Sequence, residues 1–178
     1  RRAGRDAFNS AAFDEALAPI RGTTNGQIGE AGAMAAHDAT SAAYRNALGG
    51  SRVMPDAPFV QDLGAAIGGI RGIPRVGGEV VDSVGEIVNP TYFTPAGALT
   101  GENMQPMLQE LRGLRSGYAS DPLGHRVGQG IGSVEDAVTG MFERQAPDVM
   151  PDFNAANQAY RNTSVIDDAV NRALNSGG

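Results

Sequence analysis

A 178-residue chain with net charge −6 and no cysteine has no disulfide frame and no thiolate metal site. Its acidic balance argues against a duplex-binding groove, which needs clustered cations to displace counterions. All 14 basic residues are arginine, so a phosphate loop that depends on lysine is excluded, and no apolar run approaches the ~20 residues that span a bilayer.

Aromatics make up 6% of the residues, tryptophan is missing and glycine occurs 25 times. Large apolar side chains supply most burial energy, at about 25 cal/mol per Å². A chain in which alanine and glycine stand in their place buries little per residue. Contact with partners or with other copies is then the easier route to stability. The sequence starts Arg1-Arg2-Ala3-Gly4, which suggests a window cut from a longer polypeptide.

A first helix is predicted from Asp6 to Leu17, with Phe8, Ala12 and Ala16 beside Phe13 and Leu17 on one stripe. Pro19 ends it. A second runs from Asn25 to Leu48, where Ile28, Ala31, Ala35, Ala39 and Ala42 recur at helical spacing and Gly49-Gly50 terminates the run. Asp56 before Pro58 signals a helix start, followed by Phe59, Leu63 and Ile67, with Gly68-Gly69 as an interruption. Val80-Val81, Val84 and Ile87-Val88 fit a helical face, with a short strand as the competing reading. Asn89-Pro90 and Thr94-Pro95 bracket an irregular loop.

Met104, Met107, Leu108, Leu111, Leu114 and Tyr118 form a helical seam, with Pro106 expected in the first turn, where a missing N–H is harmless. Asp121-Pro122 reads as an N-cap and first helical residue. Leu123, Val127, Ile131, Val134, Val138 and Met141-Phe142 follow at spacings of three and four. Ser133 with Asp136 could instead cap a shorter helix. After Pro147 and Pro151, Phe153, Ala156 and Tyr160 mark one stripe, and Ser164 with Asp167 suggests a further helix start before Val165-Ile166. The short link around Ser120-Asp121 favours an αα-hairpin, with the last helix laid across it.

The expected fold is therefore mainly α, built of helical hairpins and an extended Gly/Pro-rich connector, with no sizeable sheet. The segments are an N-terminal helical pair at 1–50, a connector with short helices at 51–101, and a C-terminal hairpin plus last helix at 102–178.

Signals for chemistry are weak. His37 and His125 each stand without a second histidine at i+3 or i+4, so a metal site is not expected. No nucleophile elbow occurs. Glu110, Glu135, Asp136 and Glu143 are read as solvated helix positions, against the raised-pKa carboxyl that glycoside cleavage needs. Neither catalytic residues nor cofactors are expected. The candidate interface is Met104, Met107, Leu111, Leu114, Tyr118, Met141, Phe142 and Tyr160, because methionine adapts to irregular partners; core packing is the competing role.

Several stretches carry a resemblance: Phe8 to Ala12 through Glu15 to Ile20, Gly29 to Gly32 and Ser41 to Tyr44. It is strongest over Leu111 to Arg115 and Tyr118, then Gly132 to Ala137 and Glu143 to Pro147, and closes with Ala155 to Asn162 and Val165 to Ala169. In these the chain resembles the internal virion proteins of podovirus-like tailed phages and prophages, which belong to the DNA-ejection machinery. The resemblance spans most of the chain outside 51–100. It implies a helical, non-enzymatic protein stored in the capsid interior or tail that helps build a conduit for DNA across the host cell envelope. Implied partners are portal, tail or ejection proteins and copies of the chain itself, with no specific nucleic-acid site. Another tail or adaptor subunit, a virion-associated peptidoglycan-degrading enzyme, or a bacterial helical scaffold are the alternatives.

Overall fold

The computed structural model describes residues 10–89 and 92–175, and for 170 and 173–175 the backbone alone. It is 76% helical, and among the described residues the sheet has only two short strands, so the expected mainly-α class holds. The elements are α1 (10–16), α2 (Gly29–Leu48), β1 (Arg52–Val53), α3 (Ala57–Arg71), α4 (Gly77–Val88), β2 (Leu99–Thr100), α5 (Gly101–Gly117), α6 (Gly124–Gln145) and α7 (Met150–Asn175). They group into two compact units, one of residues 1–47 with 149–178 and one of residues 48–148.

The first unit holds α1, most of α2, and α7. Its centre is Phe13, Leu17, Ala36 and Ala159, with Ile20, Ala33, Ala39 and Ile166 packed around them. Ala36 of α2 and Ala159 of α7 meet across the Phe13 and Leu17 side chains, and the Tyr44 ring lies 5.7 Å from that of Phe153. Polar bonds fix the register. The Asp14 carboxylate accepts from the Thr24 backbone N–H at 2.7 Å and from the Thr24 and Thr23 hydroxyls at 3.0 and 3.1 Å. The Tyr44 hydroxyl donates to Asn157 Oδ1, and the Asn162 amide donates to the Ala16 carbonyl at 3.3 Å. Buried Thr40 and Thr163 satisfy themselves on carbonyls of their own helices, so neither hydroxyl is stranded.

The second unit is built on α6, which packs against α3 and α5. Asp56, the N-cap of α3, meets Arg144 near the end of α6. Gly130, early in α6, lies under Ile70 near the end of α3. The two helices are therefore antiparallel. A Cβ on Gly130 would stand 2.4 Å from Ile70 Cγ1, so this glycine is what lets Ile70 seat. Phe59, Ala66 and Ile70 of α3, Val80 and Val84 of α4, and Val127, Ile131, Val134, Val138, Met141 and Phe142 of α6 are buried. Antiparallel pairing of Arg52 with Thr100 and Val53 with Leu99 closes the start of α5. Gly101 is needed there because a Cβ would lie 2.1 Å from the Leu48 carbonyl oxygen.

Several local expectations need correction. Residues 51–101 are not an extended connector: they carry α3, α4 and both strands, packed into the second unit. Gly68-Gly69 does not interrupt α3, which continues to Arg71; the tertiary contact of Ile70 outweighs two weak helix formers. The helical face read from Val80 to Val88 is borne out, and the competing strand is not formed. α5 starts at Gly101 with Thr100 as its cap, so Pro106 sits in the second turn and removes a backbone bond there. α6 starts at Gly124 rather than at Pro122, because the Asp121 side chain folds back onto the Leu123 N–H at 2.8 Å. Ser133 and Ser164 are inside helices, each bonded back to a carbonyl four residues earlier. Finally, the α5–α6 hairpin forms, but α7 belongs to the first unit with α1 and α2. The second helix begins at Gly29, not Asn25, because Asn25, Gly26 and Gly29 all take positive φ. Asp6 and Phe8 of the first predicted helix and Pro90 lie outside the described residues.

Candidate functional site

The eight expected interface residues divide by burial. Met104, Met107, Leu111, Met141 and Phe142 are fully buried, where they fill the second unit instead of presenting a surface. The helical spacing that marked them is the spacing of core positions, and five large side chains facing one seam have more to gain inward than outward. Leu114, Tyr118 and Tyr160 are half-buried. The Tyr118 hydroxyl is held up in pKa by burial and by its bond to the Glu79 carboxylate. His37 and His125 are exposed, and among the described residues no group of three His, Asp or Glu side chains is placed to hold a metal ion.

Glu110, Asp136 and Glu143 are exposed, as expected. Glu135 departs from that reading. Its side chain is 15% exposed and lies between two arginines of α5, with Oε2 3.3 Å from Arg115 Nη1 and Oε1 3.8 Å from Arg112 Nε. The second distance is an ion pair without a hydrogen bond, and Oε1 is buried with no hydrogen-bond partner. Burial pushes the Glu135 carboxyl above its ordinary value, and the two guanidinium groups only partly offset that. A raised carboxyl is what acid catalysis requires. This one is clamped between the helices of a hairpin, not aimed into a cleft, so its geometry suits locking α5 against α6. Spacing Arg112 and Arg115 three apart on one helix was the available sequence signal.

A second polar clasp joins the ends of α3 and α6. Arg144 donates to both Asp56 oxygens at 2.7 and 2.8 Å, while Gln145 brackets Met54 through its backbone N–H and carbonyl at 2.9 and 2.7 Å. The Arg144 bond holds the Asp56 carboxyl well below the usual carboxylate range. Because Asp56 also accepts from the Phe59 N–H at 2.9 Å, one carboxylate both caps α3 and ties it to α6.

Beside this clasp lies an open groove of about 530 Å³ between α3 and α6. Small residues make up much of its lining, Ala66, Gly69, Gly130 and Ala137 among them, with Ile73 beside them. Asp62 and Asp136 stand at one end, and Arg126 at the other. In the first unit, α2 and α7 line a groove of about 590 Å³ that includes His37, Asp38 and Asp167. The α3–α6 groove was not foreseen, because the alanine and glycine positions in its lining resemble linker composition until the helices are paired. Comparison with protein-family profiles, with curated proteins and with solved structures finds no match to this chain.

Proposed function

We propose that the chain is a structural segment of a phage internal virion protein that takes part in DNA ejection. The observation that carries this reading is the make-up of the first helical unit. It combines small-residue helix faces with a centre of Phe13, Leu17 and two alanines, and the chain has no disulfide. Such a unit suits a protein that must leave a particle through a narrow channel and regain its helices outside, because little of its burial is lost on partial opening. The resemblance in Leu111 to Tyr118 and Ala155 to Asn162 supports the same reading. Its partners are portal, tail or other ejection proteins and copies of itself, in the virion and then at the host envelope. In this reading the chain is not an enzyme, and Glu135 serves packing.

The test is mass spectrometry of purified particles of the encoding phage or induced prophage, before and after triggered genome release. The expected result is that peptides of this chain are present in full particles and depleted from emptied ones. Absence from full particles would remove the reading, while retention in emptied particles would move the chain to the fixed tail or adaptor structure.

A further inference from the structure

We infer that the α3–α6 groove receives α7 of a second copy of this chain, making a head-to-tail contact. Two features of complementary shape and charge carry this. The groove is lined mostly by small residues, Ala66, Gly69 and Ala137 beside the Gly130 that seats Ile70, so it accepts a ridge of larger side chains. Its charge is polarised: Asp62 and Asp136 at one end, Arg126 at the other. Antiparallel α3 and α6 place Asp62 alongside Asp136, and ten residues of α6 separate Asp136 from Arg126, about 15 Å at 1.5 Å per residue.

The second feature is a stripe on α7. Val165 is 67% exposed, one of the few large aliphatic side chains left in solvent among the described residues. Arg161 precedes it by four residues and Asp168 follows it by three, so all three share one face of the helix, and all are exposed. Arg161 and Asp168 are about 10 Å apart along the axis, and the long arginine stem covers the remaining distance. Laid in the groove with Arg161 toward Asp62 and Asp136, the helix puts Val165 over the small lining residues and Asp168 toward Arg126. The reverse orientation places like charges together at both ends, which costs affinity and so selects one direction. Because groove and stripe are different surfaces, the contact is heterologous and can propagate from copy to copy.

This inference deepens the assembly reading and rests on it for choosing a second copy over another polypeptide. The experiment is sedimentation equilibrium of the 178-residue chain from micromolar to sub-millimolar concentration, with circular dichroism of each variant. The chain is expected to associate with rising concentration. Val165→Arg drives a charge onto these small lining residues and is expected to weaken association at least about tenfold. Reversing Asp62 and Asp136 to Arg weakens it as well, and adding Arg161→Asp to that variant restores part of the loss. All the altered positions are exposed, so helicity should be unchanged. A chain that stays monomeric throughout, or whose association ignores these changes, overturns the inference. So does a monomer whose groove variants instead lose binding to a different virion protein. A monomeric chain that is nonetheless released from particles with the genome would sink this contact and leave the ejection reading standing; association through this face in a chain absent from particles would do the reverse.

Discussion

The two units solve the same problem, holding helices together with few large side chains, in different ways. In residues 48–148 the large apolar groups are concentrated: Met104, Met107, Leu111, Ile131, Met141 and Phe142 are all fully buried, and polar clasps sit at the edges. In the unit of α1, α2 and α7 the large buried side chains are Phe13, Leu17, Tyr44, Met150 and Phe153 among alanines. There, specific hydrogen bonds take over the task of fixing register: Asp14 to Thr23 and Thr24, Tyr44 to Asn157, Asn162 to the Ala16 carbonyl. Apolar burial is non-directional and scales with area. When area is short, uniqueness has to come from directional bonds, each of which contributes only about 1 kcal/mol net.

Breaking this contrast starts with the core of the second unit. Phe142→Ala removes its largest fully buried ring and is expected to cost about 3–5 kcal/mol, read as lost hydrogen-exchange protection across α3, α5 and α6. Equal loss in residues 29–47 would show that the units do not unfold separately. Next in size is Gly130→Ala. Its methyl would press on Ile70, and overpacking of this kind costs about 1–3 kcal/mol in a denaturant melt. Gly68 on the same α3 has open space around a Cβ. Gly68→Ala should therefore stabilise by up to about 1 kcal/mol; a loss instead would mean that face is covered.

In the first unit, Tyr44→Phe keeps the ring against Phe153 and removes the hydroxyl with its bond to Asn157. The expected loss is about 1 kcal/mol, with protection falling in α2 and α7 and not in α6. An unchanged melt would place the register of this unit in its alanine packing after all.

The smallest effect is a change of slope with pH. Folding raises the Glu135 carboxyl above the ordinary 4.5, so the fold holds that proton more tightly than the unfolded chain does. Its contribution is complete below 4.5 and fades as pH rises through the raised value. Asp14 and Asp56 are lowered from 3.8 by their bonds to Thr24 and Arg144. They add stability above 3.8 that is lost as pH falls through their lowered values. Glu135→Gln should remove the decline that sets in above pH 4.5 and leave the acid limb intact. A variant that keeps the wild-type slope would show that Arg112 and Arg115 already neutralise the carboxylate.

Much of this molecule was legible before folding. Helical spacing located the stripe from Met104 to Leu111 and the one from Val127 to Phe142, because a 3.6-residue period survives any arrangement of neighbours. Asp56 was readable as a cap from its place before Pro58. The sequence could not say whether those methionines face a partner or a core, since both demand the same spacing.

What the chain determined by itself was local: helix identity, most stripes, the turn at Gly49-Gly50 and the absence of a disulfide frame. Tertiary contact decided the rest. It carried α3 through Gly68-Gly69 by seating Ile70 on Gly130, sent α7 to the first unit, buried Glu135 between two arginines and opened a groove with alanine and glycine in its lining. The physical reason is the same in each case. Local propensity differences amount to about 1 kcal/mol or less per residue, and a single well-packed or ill-packed contact between distant helices is worth more than that.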